Sequence, residues 1–508
     1  MSAPDQPAAT LPYSLYCTEQ IHALEALAMA QCGAGTLMAR AGQALFACAT
    51  RISPARASAC WWIFCGSGNN GGDGYVLARL ARAAGVDVQL FAVAAPRPGS
   101  EAEAACQAWL AAGGSVLSRL PTTISSLPAL LVDALLGIGL RSAPRPEYAD
   151  WMAFINAQPA PVLAVDIPSG LLADTGAAPG AVVHADVTLS LLALKPGLFT
   201  GRGADYCGRV CHAALDVDVA SLGGVLPSLQ RLDYQRIGSL LTPRSRTAHK
   251  GECGRVLIVG GAEGMSGAVR LAGEGALRSG AGLVRVFTHP AHASVLNLGR
   301  AELMVSSGRD EEAVSDCQWA NIRVVGPGLG QAEWGQQVWF QQLALPGPLL
   351  LDADGLNLLA RNPRHRDDWI LTPHPGEAAR LLDCSTSDIE ADRITSVRRL
   401  QQRYGGVVLL KGAGTLICDG DQIWLCHEGN PGMASGGMGD LLSGIIAALY
   451  AQGLSQAEAC CAGACIHGEA ADLAAADGER GLLASDLLLY IRKLVNPQDS
   501  MKHVSLHD

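Results

Sequence analysis

Two layered α/β domains are what this sequence predicts, on three observations: short apolar strands alternate with amphipathic helical stretches, the alternation lapses and restarts once, and glycine turns recur where strands end. A chain of 508 residues exceeds what one ordinary core organises. With 49% hydrophobic residues, 17% charged residues and 59 glycines, it has the make-up of well-packed α/β layers rather than of a disordered chain.

Two helical stretches, 18–31 and 36–52, open the chain. Strands are then expected at 61–65, 86–92, 130–134, 162–166, 187–191 and 210–214, with helices at 75–84, 101–112 and 151–157. A doubly wound parallel sheet accounts for this alternation economically. Between residues 216 and 247 the period is lost among Gly223, Gly224 and two prolines, so the boundary is placed there, giving domains 1–227 and 228–508. Strands resume at 255–259, after a glycine turn and a helix through Arg278 at 283–287, and then at 322–325, 349–352, 369–372, 407–411, 415–418 and 422–426, before a helical C-terminus.

Charge and cysteine content narrow the function classes. A net charge of −10 argues against non-specific nucleic-acid or membrane attraction, so anionic ligands must be held by local donors. The first residues have neither a basic nor an apolar region of a secretory signal, and the nearly uncharged run 441–454 is too short to span a bilayer, so a cytoplasmic protein is expected. The 16 cysteines, scattered through apolar segments, read as reduced core thiols. Cys207 with Cys211 and Cys461 with Cys465 have CxxxC spacing but no second pair or histidine near them, which favours core thiols over a metal site.

In the first half, an apolar strand runs into Gly66-Ser67-Gly68-Asn69-Asn70-Gly71-Gly72-Asp73-Gly74 and then a helix. Such a junction presents unpaired N–H groups to an anion, and five glycines let the backbone approach it closely. No Lys-Ser/Thr follows, so the loop is not a Walker A motif. Two other strand ends carry polar groups at the same edge: Asp133 in VDALLGIGL, and Asp166 with Ser169 in AVDIPSGL. Either aspartate alone is as well explained by capping the next turn. Lys195 in Leu-Lys-Pro-Gly could stabilise developing negative charge, but a solvated lysine at a strand end is the preferred reading.

Together GSGNNGGDG, VDALLGIGL and AVDIPSGL resemble the NAD(P)H-hydrate epimerase family, over roughly residues 15–220. The resemblance implies a Rossmann-like fold, and a substrate pocket of Asn69, Asn70, Gly71, Gly72 and Asp73, the segment Gly137, Ile138, Gly139, Leu140, Arg141, Ser142 and Ala143, and Tyr148 and Asp166. It also implies K⁺ held by oxygens of Asn70, Asp133 and Ser169, suitable hard ligands for such an ion. Epimerisation needs a positioned acid–base group, for which Asp166 is the candidate.

In the second half the informative segment is Asn430-Pro431-Gly432-Met433-Ala434-Ser435-Gly436-Gly437-Met438-Gly439-Asp440. It sets a glycine-rich anion hole at a helix N-terminus with a carboxylate in the first turn, so amides there can stabilise a phosphoryl group while Asp440 handles a hydroxyl. His374 lies between prolines in a restrained loop, where it either donates to a ligand or faces solvent.

HKGECG, GPGLG, LDADGLN, LTPHPGE, LLKGAGT and NPGMASGGMGD together resemble the ADP/ATP-dependent NAD(P)H-hydrate dehydratase family, over about residues 232–495. The resemblance implies a ribokinase-like fold, nucleotide contacts at Lys411, Gly412, Ala413, Gly414, Thr415 and Gly439, and hydrated-cofactor contacts at Ala268, Gly328, His374 and Asp440. By the same resemblance ADP is the co-substrate, Mg²⁺ escorts its phosphates, Asp440 is the base, and the substrates are NADHX and NADPHX. A homo-oligomer is expected by analogy alone. The rival expectation is a ribokinase-like small-molecule kinase fused to a non-catalytic Rossmann-like binding module.

Overall fold

The computed structural model describes residues 11–54, 59–124, 126–307 and 318–496. The chain divides into two compact units, Met1–Gln230 and Arg231–Asp508.

In the first unit a two-residue strand, β1 (Ser14–Leu15), and the helices Thr18–Cys32 and Thr36–Ile52 precede β2 (Cys60–Cys65), β3 (Asp87–Ala92), β4 (Val116–Leu117), β5 (Leu130–Ala134), β6 (Val162–Val165), β7 (Val187–Leu191) and β8 (Arg209–Ala213). The last seven form one parallel sheet in the order β4-β3-β2-β5-β6-β7-β8. Strand order reverses between β2 and β5. Right-handed crossovers then place helices on opposite faces on the two sides of that point, and the crevice lies beyond the carboxyl ends of these strands. Both faces of the sheet are covered: Trp61, Ile63 and Cys65 enter one apolar cluster, Trp62 and Phe64 the other. That is why β2 is a continuous apolar run rather than an alternating one.

The second unit's sheet contains β9 (Leu229–Leu232), β10 (Arg255–Gly260), β11 (Leu283–Thr288), β12 (Leu303–Ser306), β13 (Ile322–Val325), β14 (Leu349–Leu351), β15 (Trp369–Leu371), β16 (Val407–Leu410), β17 (Thr415–Cys418) and β18 (Ile423–Cys426). Their order is β9-β18-β17-β16-β15-β14-β13-β10-β11-β12. From β16 to β12 neighbours are parallel, with the reversal between β13 and β10, while β17 is antiparallel to both of its neighbours. Helices Ser266–Arg278 and Met438–Ala451 touch backbone to backbone: a Cβ on Gly444 would stand 1.9 Å from the Ala272 carbonyl oxygen. The helix carrying Asp440 is thereby held at a fixed height over the sheet.

Three elements differ from expectation. The helix after β2 starts at Asn69 rather than at residue 75, and the fifth helix of the first unit, Pro146–Asn156, starts early because proline suits the first helical position. The stretch 216–247 is not structureless: it holds β9 and the short helix Tyr234–Ile237, capped by the Asp233 carboxylate, which accepts from the Arg236 N–H at 2.9 Å. Among the described residues no helix is long and apolar enough to cross a membrane.

Candidate functional site

At the reversal point of the first unit, a Cβ on Gly66 would lie 1.8 Å from the Leu135 carbonyl oxygen, so only glycine lets the turn after β2 meet the turn after β5. The loop before the helix is shorter than the glycine run suggests. Gly71, Gly72 and Gly74 are helical, and a Cβ on them would meet the Gly66 carbonyl oxygen at 2.0 Å, the Met38 Cε at 2.6 Å and the Cys65 Sγ at 2.7 Å. These three serve close packing of the helix. Only Gly68, with nothing within 4 Å, borders open space, beside the unpaired N–H groups of the first helical turn.

Asn70, Asp133 and Ser169 meet around the Leu136 peptide. Asn70 Nδ2 donates to the Leu136 carbonyl at 3.1 Å, and the Leu136 N–H donates to Ser169 Oγ at 2.8 Å. Asp133, fully buried, accepts from Ser169 Oγ at 2.6 Å, Ser169 N at 2.8 Å and Leu135 N at 3.2 Å. Burial pushes its carboxyl up to about 6 in spite of these bonds, and all of these donors are neutral. A monovalent cation fits this oxygen set, because it would supply the charge that the buried carboxylate lacks.

Asp166 follows β6 with φ of 68°, a left-handed conformation that an aspartate tolerates better than most residues. Its Oδ1 accepts from the Leu191 N–H at 2.8 Å and pairs with Lys195. The expectation of a solvated Lys195 is wrong: the side chain is fully buried, and its ammonium also donates to Ser190 Oγ at 3.1 Å and the Leu191 carbonyl at 3.0 Å. A buried ammonium needs such partners, which only the folded turn supplies. Burial, and then the Asp166 charge, hold the half-buried Asp73 carboxyl well above the usual range, with Lys195 opposing. Asp73 thus lies within the electrostatic reach of the Asp166–Lys195 pair.

Other expected positions divide. A Cβ on Gly137 would lie 3.2 Å from Asn70 Cβ, so the 137–143 segment abuts that asparagine. Ile138 accepts from Thr18 Oγ1 at 3.4 Å, Leu140 is half-buried, and Gly139, Arg141, Ser142 and Ala143 are exposed. Tyr148 is buried in the apolar cluster with Phe64 and Trp151, which is the role of a core tyrosine.

In the second unit, Asp352 and Lys411 each follow the last residue of a strand. Lys411 Nζ donates to Asp352 Oδ1 at 2.8 Å and Ser443 Oγ to Oδ2 at 2.7 Å. Burial works to raise the Asp352 pKa, but Lys411 and Ser443 together hold it below the usual carboxylate range. A Cβ on Gly439 would stand 3.1 Å from Lys411 Nζ, so glycine keeps the face of that ammonium open. Asp440, half-buried in the first helical turn, is pushed up to about 6 by burial and the Asp352 charge, with Lys411 opposing. Lys411, Gly439 and Asp440 therefore form one cluster. Arg393 buttresses the turn beyond Lys411 by donating to its carbonyl at 3.1 Å, Thr415 Oγ1 donates to the Gly412 carbonyl at 3.2 Å, and Gly412 and Ala413 are exposed. Gly414 and Thr415, half-buried, close the turn into β17.

His374 caps the helix Pro375–Leu382, its Nδ1 accepting from the Gly376 N–H at 3.0 Å. That bond leaves the proton of the neutral ring on Nε2, which stands 3.4 Å from Glu377 Oε1. Burial, Lys411 and Arg380 lower the His374 pKa, keeping a neutral donor, while burial pushes Glu377 up to about 7. Ala268 and Gly328 are neighbours: a Cβ on Gly328 would lie 3.2 Å from Ala268 Cβ. The loop after β13 reaches the cluster through Gly326, where a Cβ would stand 1.8 Å from the Asp352 carbonyl oxygen.

Asp352, Glu377 and Ser443 were not singled out from the sequence, and Lys195 was read there as solvated. Their signal was there for three of them, an ionisable residue at the end of an apolar strand or inside a proline-bound turn, whereas Ser443 has no local mark and is recruited by the helix that carries Asp440.

Residues 34–197 match the family model of the YjeF-related protein N-terminus, and residues 256–493 that of NAD(P)H-hydrate dehydratase. The chain is 49% identical over 471 residues to the bifunctional NAD(P)H-hydrate repair enzyme of Escherichia coli (strain K12), covering 92% of this chain and 90% of that one. To the enzyme of the same name from Vibrio cholerae it is 44% identical, covering 96% and 99%. Among solved structures, a ribokinase-like superfamily protein of Enterococcus faecalis aligns with a TM-score of 0.50 at 27% identity, covering 54% of this chain and 99% of that chain.

Proposed function

The chain belongs to the bifunctional NAD(P)H-hydrate repair enzymes, and from that premise we propose that its first unit interconverts R- and S-NAD(P)HX while its second dehydrates S-NAD(P)HX to NAD(P)H, converting ADP to AMP and phosphate. The observation that carries this reading is the cluster of Lys411, Gly439, Asp440 and Asp352 at one helix N-terminus.

Asp440 takes the proton of the substrate hydroxyl as that oxygen attacks the terminal phosphoryl group of ADP. Lys411, held in place by Asp352, and the amides beside Gly439 balance the charge on the transferred group. The C–O bond of the phosphorylated hydroxyl then breaks, phosphate being a far better leaving group than hydroxide, and the adjacent ring carbon gives up a proton, so that the new C=C bond restores the dihydronicotinamide ring. Mg²⁺ suits this site because Asp440 offers a carboxylate beside the phosphates, and when bound it would neutralise their charge. In the first unit, Asp166, held by Lys195, moves the proton of the substrate hydroxyl as the ring C–N bond opens and recloses or as water leaves and returns, on either face of the hydroxyl-bearing carbon, and Asp73 is the neighbouring acid. Asn70, Asp133 and Ser169 would hold K⁺, which would keep Asp133 ionised and the Leu136 turn rigid.

Separate epimers test the division. Asp440→Asn is expected to stop dehydration of the S epimer and leave R/S interconversion intact, read by chromatography; Asp166→Asn is expected to do the reverse. Loss of both activities in either folded variant, or the opposite pattern, overturns the assignment.

A further inference from the structure

In the second unit, β18, the residues after it and the helix Gln456–Ala474 bring together another set of ionisable groups. Cys426 Sγ, a Glu428 carboxylate oxygen and Cys465 Sγ all lie within 4.8 Å of one another. Both cysteines are buried and Glu428 is half-buried. The carboxylate is already aimed: Oε1 accepts from the Tyr234 N–H at 2.6 Å, and Oε2 faces Cys426 Sγ at 3.9 Å.

We propose that Cys426, Glu428 and Cys465 form a site for a thiolate-seeking divalent cation of the zinc class, at the root of the loop that leads to Asp440. Three atoms no more than 4.8 Å apart leave a central cation about 2.8 Å or less from each, so a few tenths of an ångström of closure reaches the ~2.3 Å of a zinc–thiolate bond. Two sulfur ligands select zinc over Mg²⁺, and water from the exposed side of Glu428 completes the tetrahedron. The local field also favours a cation. Glu469 and Asp233 both oppose ionisation of Glu428, whose carboxyl burial pushes up to about 10, and burial drives the Cys465 thiol well above its ordinary value. Without a cation the set is joined by weak S–H contacts, such as that of Cys426 Sγ to Glu428 Oε2. Binding replaces those protons with one divalent charge, so affinity rises with pH.

The consequence is mechanical. After Glu428, Gly429 N and Asn430 Nδ2 each donate to Asp472 at 2.9 Å, and the chain continues through the turn Pro431–Met433 to Gly437 and Asp440. A cation bonded to strand, loop and helix together fixes where that loop begins. The sequence concealed the site because the partner of Cys465 lies on β18, far outside any CxxxC spacing.

Titration of the reduced full chain with Co²⁺ tests this without reference to activity. One equivalent per chain is expected to develop thiolate-to-cobalt charge-transfer absorption, lost in Cys426→Ser and in Cys465→Ser and kept in Cys253→Ser. Glu428→Gln retains an acceptor for Tyr234 and so preserves the fold even where the serine variants do not; it is expected to weaken Co²⁺ binding at least tenfold. Absence of the band in the unaltered protein, or its persistence unchanged in folded Cys426→Ser, Cys465→Ser or Glu428→Gln protein, overturns the proposal.

Discussion

Replacing Asp352 by asparagine removes the negative charge that, after burial, does most to raise the pKa of Asp440. In the unaltered protein that pKa is about 6. A base acts only when ionised, so the dehydration rate rises as pH rises through that value: about nine-tenths of Asp440 is competent at pH 7 and about one-tenth at pH 5, a fall of roughly tenfold. In Asp352→Asn two changes act in the same direction. The repulsion is gone, and Lys411 loses the carboxylate 2.8 Å away that offset its charge, so its pull on Asp440 increases. Burial still opposes ionisation, so the net expectation is a downward shift on the order of one unit, about 1.4 kcal/mol of differential interaction. The acid limb should then start near pH 5, and the loss between pH 7 and pH 5 should shrink to about twofold. The assay is kcat for dihydronicotinamide formation from S-NADHX at saturating ADP, in both proteins, across that range. Ionisation of ADP contributes equally to both profiles, so the displacement between them is diagnostic. An acid limb at the same pH in both proteins would refute the coupling of Asp440 to the Asp352–Lys411 pair.

Other consequences follow from the first unit. Lys195→Met should lower R/S interconversion at least 100-fold and leave S-NADHX dehydration unchanged; because Asp166 loses its cation, the first unit should also lose about 3–5 kcal/mol, visible in its unfolding transition. Exchange of K⁺ for a large organic cation should slow epimerisation, and more K⁺ should be needed for half-maximal rate at pH 5 than at pH 8, because protonation of Asp133 competes with the ion; an equal K⁺ requirement at both would remove Asp133 from the ion site. Gly71→Ala should destabilise the first unit by about 2–3 kcal/mol, its Cβ falling 2.0 Å from the Gly66 carbonyl oxygen, whereas Gly68→Ala should stay within about 0.5 kcal/mol; thermal unfolding compares them.

The sequence made the strands legible because each is a run such as CWWIFC or RVLIVG with both faces buried, and strand ends located the polar groups that converge at the reversal points. The family resemblances, rather than the strand ends, are what grouped Asn70 with Asp133 and Ser169, and Lys411 with Gly439 and Asp440. Helix starts were harder. Glycine depresses helix propensity, so 69–74 read as loop, but the packing of Gly71, Gly72 and Gly74 against the sheet and its neighbours overrides that preference. Lys195 was misread because a lysine in Leu-Lys-Pro-Gly carries no local sign of burial; its partners are Asp166, after β6, and Ser190, on the preceding strand β7. Tyr148 carried its aromatic core role invisibly for the same reason.

The central claim, two linked activities on one chain, is tested most directly by giving the purified protein a mixture of R- and S-NADHX with ADP, Mg²⁺ and K⁺, and following dihydronicotinamide absorbance together with the nucleotide products. Complete recovery, with AMP and phosphate formed in equal amount to NADH, is the result expected. Recovery that halts at the S fraction would contradict epimerisation by the first unit, and consumption of ADP with a stable phosphorylated product and no NADH would contradict dehydration by the second.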